Sequence, residues 1–431
     1  MNVSPIIYEW IDRMRVDGRI DEAADFLKAL EDVKTSRFSY YRAQFLSEKN
    51  EPESAYKVAL TGYENYPLES MDQKFEFLLL LGLLCGRTRR IGKAIRYFTE
   101  ALEFCPPHQR GKTSEHVTKY GLASVLSVAG ELERANEIFA EGQEISCGNG
   151  WKTSTKIIDF SHAALTLKNH EDEIRVGHVD SIQMKGTDLI YLVAADFVYF
   201  EKFGQALATH VAKSAGSTNV QIHYHLVEED MSRERRLAVK NLKSKIAKIH
   251  ARCSYSVETM KYKSKEEINR KVFYSCARFL ALPDVLRGST VPVLVADMDQ
   301  VPLVDPMGVV SKTADVQFLR FDEAAGNIFS LFSATLSVFS PGKNALEIAY
   351  RIKAYLADFL QGGREVKWHL DQIAIACVAL SSEGHNIEYL MSSIVAVDQS
   401  EASKADLITM GYKFWSVTHS IPSNSAKKLE A

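Results

Sequence analysis

Asp297 and Asp299 flank a single methionine in the stretch VPVLVADMDQVPLVDP, residues 291–306, and form the only D-x-D in the chain. Carboxylates at that spacing suit one hard cation. Mg²⁺ or Mn²⁺ takes oxygen ligands, commonly one or two carboxylates with substrate phosphates completing the shell. The chemistry indicated is a metal-bound diphosphate, although a strand followed by an Asp-rich turn accounts for the same residues without a ligand. Position favours the first reading. VPVLVA is a short apolar run that predicts a buried strand, and Pro302 and Pro306 break the pattern beyond it. If the backbone stays extended through Asp299, the two carboxylates project to the same side. Ligands of open α/β sheets bind beyond the strand carboxyl ends, which is where this pair falls.

Composition narrows the remaining classes. At 431 residues the chain is too long for one ordinary core, and 46% hydrophobic with 25% charged residues is the balance of a folded globular protein. A net charge of -3 leaves no electrostatic footprint for nucleic acid. The apolar run FLLLLGLLC at 77–85 falls far short of the roughly 20 residues that span a bilayer. The start, MNVSPIIYEWIDRMR, lacks the charged n-region and apolar core of a signal peptide, so a cytoplasmic protein without a transmembrane segment is expected. The six cysteines show no C-x-x-C or C-x-H spacing, which argues against a zinc site or a disulfide framework.

The first third is helical and repetitive. GRIDEAADFLKAL, NEPESAYKVALTGYENYP, RRIGKAIRYFTEALEFCP and GELERANEIFAEGQEI share a turn, a charged cap and an alanine-containing amphipathic run. Their anchor alanines, Ala23, Ala55, Ala94 and Ala135, are 32, 39 and 41 residues apart. The last three runs each follow another helical stretch, FSYYRAQFLSE, FEFLLLLGLLCG and VTKYGLASVLSVAG. Helix pairs at such a period predict an α-solenoid, with a plain helical bundle as the alternative. The segment NHEDE reads as a linker. Domains are therefore expected at 1–170 and 184–423, the first able to fold without the second.

From Lys185 the grammar becomes strand, helix, strand, helix, strand, which implies an α/β sheet with parallel neighbours. GTDLIYLVAAD ends at Asp196, a residue that ends a strand or caps the following helix as readily as it binds a ligand. The helix MSRERRLAVKNLKSKIAKIH carries Arg233, Arg235, Arg236, Lys240, Lys243, Lys245 and Lys248 and reads as a solvated face. Asp371 and Gln372 in WHLDQIAIACV stand just before an apolar run that they could equally cap.

The order of AAD closing the first strand, an arginine in FYSCARFLALPDVL, the D-x-D and the later D-Q pair resembles the GT-A glycosyltransferases. Within these it is similar to the retaining family of glycogenin and the bacterial lipooligosaccharide galactosyltransferases, over about residues 186–420. The first third resembles degenerate tetratricopeptide repeats. The resemblance implies a Rossmann-like nucleotide-diphospho-sugar transferase domain after the helical solenoid. It implies Asp196 at the uracil or ribose, Arg278 over the diphosphate or donor sugar, and Asp297, Asp299 and His419 as ligands of Mn²⁺ or Mg²⁺. Asp371 and Gln372 would lie beside the donor sugar. Imidazole suits Mn²⁺ better than Mg²⁺.

The sequence departs from the family in several places. Phe332, Ser333, Ala334 and Thr335 stand where F-N-A-G is usual, removing an amide near the donor sugar, and Val198 replaces a frequent Asn. The C-terminal H-x-x-G-x-x-K-P-W signature is reduced to WSVTHSIPSNSAKK, with Lys427 and Lys428 displaced. The expected activity is metal-dependent transfer from a UDP-sugar to an acceptor hydroxyl with retention, the acceptor being a glycan, lipid-glycan or protein, and the repeats recruiting a partner or macromolecular acceptor. Gln372 would hold the developing cation electrostatically, while Asp371 orients the donor hydroxyls. The alternative is a catalytically impaired scaffold whose repeats bind a protein partner.

Overall fold

The computed structural model describes residues 5–30, 33–141, 144–147, 151–154, 157–163, 182–228, 232–259, 267–361, 369–396 and 404–416. Two compact units divide the chain: residues 1–156 with 322–331, and residues 157–321 with 332–431.

The first unit is built from eight helices: α1 (Pro5–Val16), α2 (Ile20–Ala29), α3 (Ser36–Glu48), α4 (Pro52–Asn65), α5 (Met71–Arg87), α6 (Ile91–Glu103), α7 (Thr113–Ala129) and α8 (Leu132–Ala140). Each packs against the next. Ala23, Ala55, Ala94 and Ala135 lie on the second helix of each successive pair and are fully buried, because a methyl side chain lets paired helices approach closely. Local chemistry sets the helix ends. Thr35 and Ser70 cap α3 and α5 by accepting from Phe38 N and Gln73 N, and Gly130 takes the left-handed conformation after α7. A short hairpin, β1 (Glu144–Cys147) with antiparallel β2 (Trp151–Ser154), follows, which the sequence pattern did not announce. Residues 322–331 complete this unit. Its short helix Ile328–Leu331 buries Ile328, Phe329 and Leu331.

The second unit opens with α9 (Phe160–Ala163) and then alternates β3 (Leu189–Ala195), α10 (Phe197–Ser214), β4 (Val220–Glu228), α11 (Arg233–Ile249), β5 (Cys253–Thr259), α12 (Glu267–Arg287) and β6 (Val293–Ala296). After β7 (Gln300–Pro302) come β8 (Val316–Arg320) and, numbering the helix of 328–331 as α13, β9 (Phe332–Phe339), α14 (Lys343–Gln361) and α15 (Leu370–Leu380). The described chain closes with β10 (Ile387–Met391), β11 (Val395–Ala396), α16 (Lys404–Thr409) and β12 (Phe414–Ser416). The main sheet has the order β10-β8-β9-β6-β3-β4-β5, with β9 antiparallel to both neighbours and every other pairing parallel. A smaller sheet, β11-β12-β7, lies beside it in the chain order. A helical region followed by an α/β region with a mostly parallel sheet is the class expected from the sequence.

The buried runs LIYLVAA and VLVA make β3 and β6 central strands. β5 was not anticipated, for a physical reason. One face of β4 presents Gln221, His223 and His225, and these bond to Ser254, Ser256 and Glu258 of β5 in a continuous polar ladder. A strand satisfied by hydrogen bonds on that face carries no apolar run to read.

Candidate functional site

β3 has neighbours on both sides, β4 reached through α10 and β6 reached later through α12. Chain direction across the sheet therefore reverses at β3 and β6, and the crevice beyond their carboxyl ends is the switch point where ligands of open α/β sheets bind. Asp196 directly follows β3, and Asp297 directly follows β6. Asp196 also caps α10, since its Oδ1 accepts from Tyr199 N at 2.7 Å. Beside it stands Glu228, a residue the sequence reading missed. It is 3% exposed and accepts from Phe197 N at 2.6 Å and from Arg235 Nη1 at 2.8 Å. Arg235, expected on a merely solvated face, thus helps fix the start of α10. Val198, in the same first turn, is 54% exposed.

The D-x-D is displayed differently from the expectation. The backbone does not stay extended through Asp299: β6 ends at Ala296, and Gln300 N donates to Asp297 O at 3.0 Å, closing a turn. Met298 enters the core and is 1% exposed, whereas both aspartates are half-buried. The turn is pulled into place by burial of the methionine, and each aspartate has its own partner, Asp297 on Arg278 and Asp299 on Ser416. Burial, with the charges of Asp297 and Asp299 adding to it, holds the Tyr191 phenol well above its ordinary range, and its hydroxyl donates to Gln300 O at 2.7 Å.

Arg278 ties this turn to α15. It lies in the stretch of α12 where residues 276–282 are all buried, and it is itself 3% exposed, so its charge must be met inside. Nη1 pairs with Asp297 Oδ1 at 2.5 Å, and Nη2 donates to Ala334 O at 3.0 Å and to Asp371 Oδ2 at 3.1 Å. Asp371, 6% exposed in the first turn of a helix buried nearly all round, also accepts from Gln372 N through Oδ1 at 3.0 Å. Gln372 Oε1 meets His369 Nδ1 at 2.9 Å. Arg278, Asp297 and Asp371 thus form one cluster with Gln372 beside it, while Asp299 is held by Ser416 Oγ at 3.1 Å.

Asp297 and Asp371 share one guanidinium, and Asp299 stands two residues from Asp297 on the same turn. Burial pushes the Asp297 carboxyl up to about 7, Arg278 pulls it down, and Asp299 and Asp371 push it up again. Its side chain is 30% exposed, so solvent screens part of this, and the upward direction is what matters for the chemistry. The donors are hard oxygens of the kind Mg²⁺ and Mn²⁺ take. Among the described residues, no three His, Cys, Asp or Glu side chains are arranged to hold a metal. His419, Lys427 and Lys428 lie outside the described residues.

This sets a pH dependence. With its folded-state value raised above the roughly 4 of an unfolded aspartate, Asp297 keeps a proton that the unfolded chain has released. The metal-free protein should therefore lose stability as pH rises from about 4 through about 7. A cation held by Asp297 would require the ionised form, so its binding would run the other way, tightening as pH rises through the same upper range with release of a proton. Titration calorimetry of Mn²⁺ with UDP from pH 6 to 8 checks this. Equal affinity across that range, or an Asp297→Asn variant that keeps the dependence, would remove Asp297 as its source.

No family model and no curated protein matches the chain. Among solved structures it is similar to the apo form of the glycosyltransferase GlyE of Streptococcus pneumoniae TIGR4, at 14% identity over 48% of this chain and 46% of that one, with a TM-score of 0.32. It is similar to apo mouse xyloside xylosyltransferase 1 at 12% identity, covering 55% of this chain and 99% of that one, TM-score 0.34. For the apo bifunctional glycosyltransferase WbbM the values are 13% identity, 88% and 66% coverage, and a TM-score of 0.37. The chain spans less than half the length of the GlyE structure.

Proposed function

We propose that the chain is a metal-dependent glycosyltransferase that moves a sugar from a UDP-sugar to an acceptor hydroxyl with retention. The observation that carries this reading is the Arg278 cluster: a buried guanidinium shared by Asp297 and Asp371 at the sheet's switch point, with the second aspartate of the D-x-D on the same turn. The motif order is similar to that of the glycogenin-like GT-A family, and the paired helices with buried alanines suit tetratricopeptide-like repeats that recruit a partner or macromolecular acceptor.

Asp297 and Asp299 would hold Mn²⁺ or Mg²⁺, and the bound cation would stabilise charge on the departing nucleoside diphosphate. His419, which lies outside the described residues, would be a further ligand on the motif resemblance alone. Asp196 keeps one carboxylate oxygen beyond its cap bond for the nucleoside. Arg278, whose Nη1 pairs with Asp297 on the acidic turn, would lie over the diphosphate or donor sugar. As the leaving group departs, the sugar carbon becomes oxocarbenium-like. Gln372, an amide and a poor nucleophile, would stabilise that charge while Asp371 orients the donor hydroxyls and the acceptor attacks from the same face.

Asp297→Ala and Asp299→Ala should each abolish Mn²⁺-dependent UDP binding by calorimetry with the fold intact, because the turn is half-buried and loss of one carboxylate relieves repulsion. Unchanged affinity in both would sink the metal assignment. His419→Ala should weaken binding by about 1–3 kcal/mol, the scale of a lost charge-assisted contact. The second reading is a scaffold that binds donor without turnover. It is favoured by the 2.5 Å pairing of Asp297 with Arg278 and by Ser333 in place of the family's amide. Hydrolysis of a panel of UDP-sugars separates the two.

A further inference from the structure

We propose that His369 is a positioning residue that locks the carboxamide of Gln372 with Oε1 on the imidazole and the Nε2 group turned away from it. The inference rests on the assignment of Gln372 to the donor site.

The start of α15 breaks ordinary helix-capping rules. An N-cap residue normally has extended backbone and a short oxygen-bearing side chain that accepts from the first free N–H groups. His369 occupies that position at φ +73° and ψ 15°, in the left-handed region, and its side chain caps nothing. For a residue with a Cβ this conformation is strained, and no side-chain cap bond offsets it. The third helical residue of a capping box would turn its Gln side chain back to the N-cap backbone N–H. Here Gln372 is that residue, and its Oε1 is taken by the His369 ring at 2.9 Å instead. Both local departures fall at the residue that makes this side-chain bond. Backbone strain of this kind concentrates at functional sites.

The bond also fixes polarity. Burial holds the imidazole below its ordinary range, so the ring is neutral and carries one N–H. For Nδ1 to meet Oε1, that hydrogen must sit on Nδ1, and the amide can then rotate only by giving up the bond. The neighbouring Asp371 is fixed independently by Arg278 and by Gln372 N. Two adjacent side chains are therefore held from opposite sides, one by a guanidinium and one by an imidazole.

Three substitutions separate positioning from structure. His369→Gly removes the ring and the backbone strain together. His369→Asn keeps a side-chain N–H near the Nδ1 position and tolerates the left-handed backbone. Gln372→Ala removes the partner. His369→Gly should melt at or above the parent temperature and bind UDP with Mn²⁺ like the parent, since UDP lacks the sugar. Its kcat for hydrolysis of UDP-galactose, or of whichever UDP-sugar the parent turns over, should fall on the order of 10- to 100-fold with little change in KM, the scale of a slightly misplaced reacting group. His369→Asn should recover most of that loss. Parent-like turnover by His369→Gly, or no recovery by His369→Asn, overturns the proposal. If the parent hydrolyses no UDP-sugar, the assigned function fails, and nitrogen NMR of the ring decides this inference alone. The expected result is an Nδ1–H tautomer that reverts to mainly Nε2–H in Gln372→Ala. An Nε2–H tautomer in the parent overturns it.

Discussion

Replacing Arg278 by methionine should destabilise the α/β unit by about 3–5 kcal/mol, the cost of removing one partner of a buried ion pair. The volume is roughly kept, so the effect is electrostatic. The guanidinium is 3% exposed and is the cation paired with Asp297 and with the nearly buried Asp371, and the same group holds Ala334 O. Without it, the Asp297 carboxyl, already pushed upward by burial and by its acidic neighbours, loses the one influence pulling it down. Three expectations separate this from simple loss of packing. Lowering the pH toward 5 should recover part of the stability, because protonating Asp297 removes one of the two carboxylate charges left without the guanidinium. Asp297→Asn in the Arg278→Met background should recover part of it at pH 7.5. Mn²⁺ should stabilise the variant more than the parent, since it supplies positive charge where the guanidinium stood. Thermal melting at two pH values checks all three, and an Arg278→Met protein that melts with the parent would show that the cluster carries no net electrostatic load.

Which parts of this site were legible in the sequence follows from how each part is built. The D-x-D, the AAD strand end and the D-Q pair are short and local, and each lies at the edge of an apolar run, where periodicity is strong. Arg278 could be placed only by resemblance, because a charge inside a buried helix has no local signature. Its reason is Asp297, nineteen positions on, and Asp371, farther still. Glu228 went unnoticed for the same reason: what it satisfies, Phe197 N, is thirty-one residues earlier. His369 was within the quoted D-Q stretch, yet nothing in the letters WHLDQ signals a left-handed backbone at a non-glycine. β5 was hidden because His223 and His225 are satisfied by its serines and glutamate rather than covered by apolar side chains. The Met298 turn was misjudged because strand alternation was carried two residues too far, past the point where burial of the methionine takes over.

Phe329→Ala should cost the helical unit about 3–5 kcal/mol, as large-to-small changes of buried aromatics do, although the residue lies far outside the first third of the chain. Residues 322–331 belong to that unit, and the chain on either side of them belongs to the other. The Phe329 ring, 4% exposed, stacks on Tyr120 of α7 with centroids 5.7 Å apart and planes at 12°. Its backbone N–H donates to the Tyr120 hydroxyl at 3.3 Å, Ile328 N donates to Ser124 Oγ at 3.3 Å, and Asp322 pairs with Arg89 at 2.6 Å. Gly86 is needed there too, since a Cβ on it would stand 3.0 Å from Gly326 N. The ring accounts for most of the predicted loss, because an exposed pair such as Arg89 with Asp322 is worth little. A fragment of residues 1–170 lacks this segment and should leave Tyr120 and Ser124 without it. Such a fragment is expected to melt well below the helical transition of the full chain, and a synthetic peptide of residues 321–332 added in excess should raise its melting temperature, whereas the same peptide carrying Phe329→Ala should not. A fragment that melts with the full chain and ignores the peptide would mean that residues 322–331 merely rest on the repeats and contribute nothing to their stability.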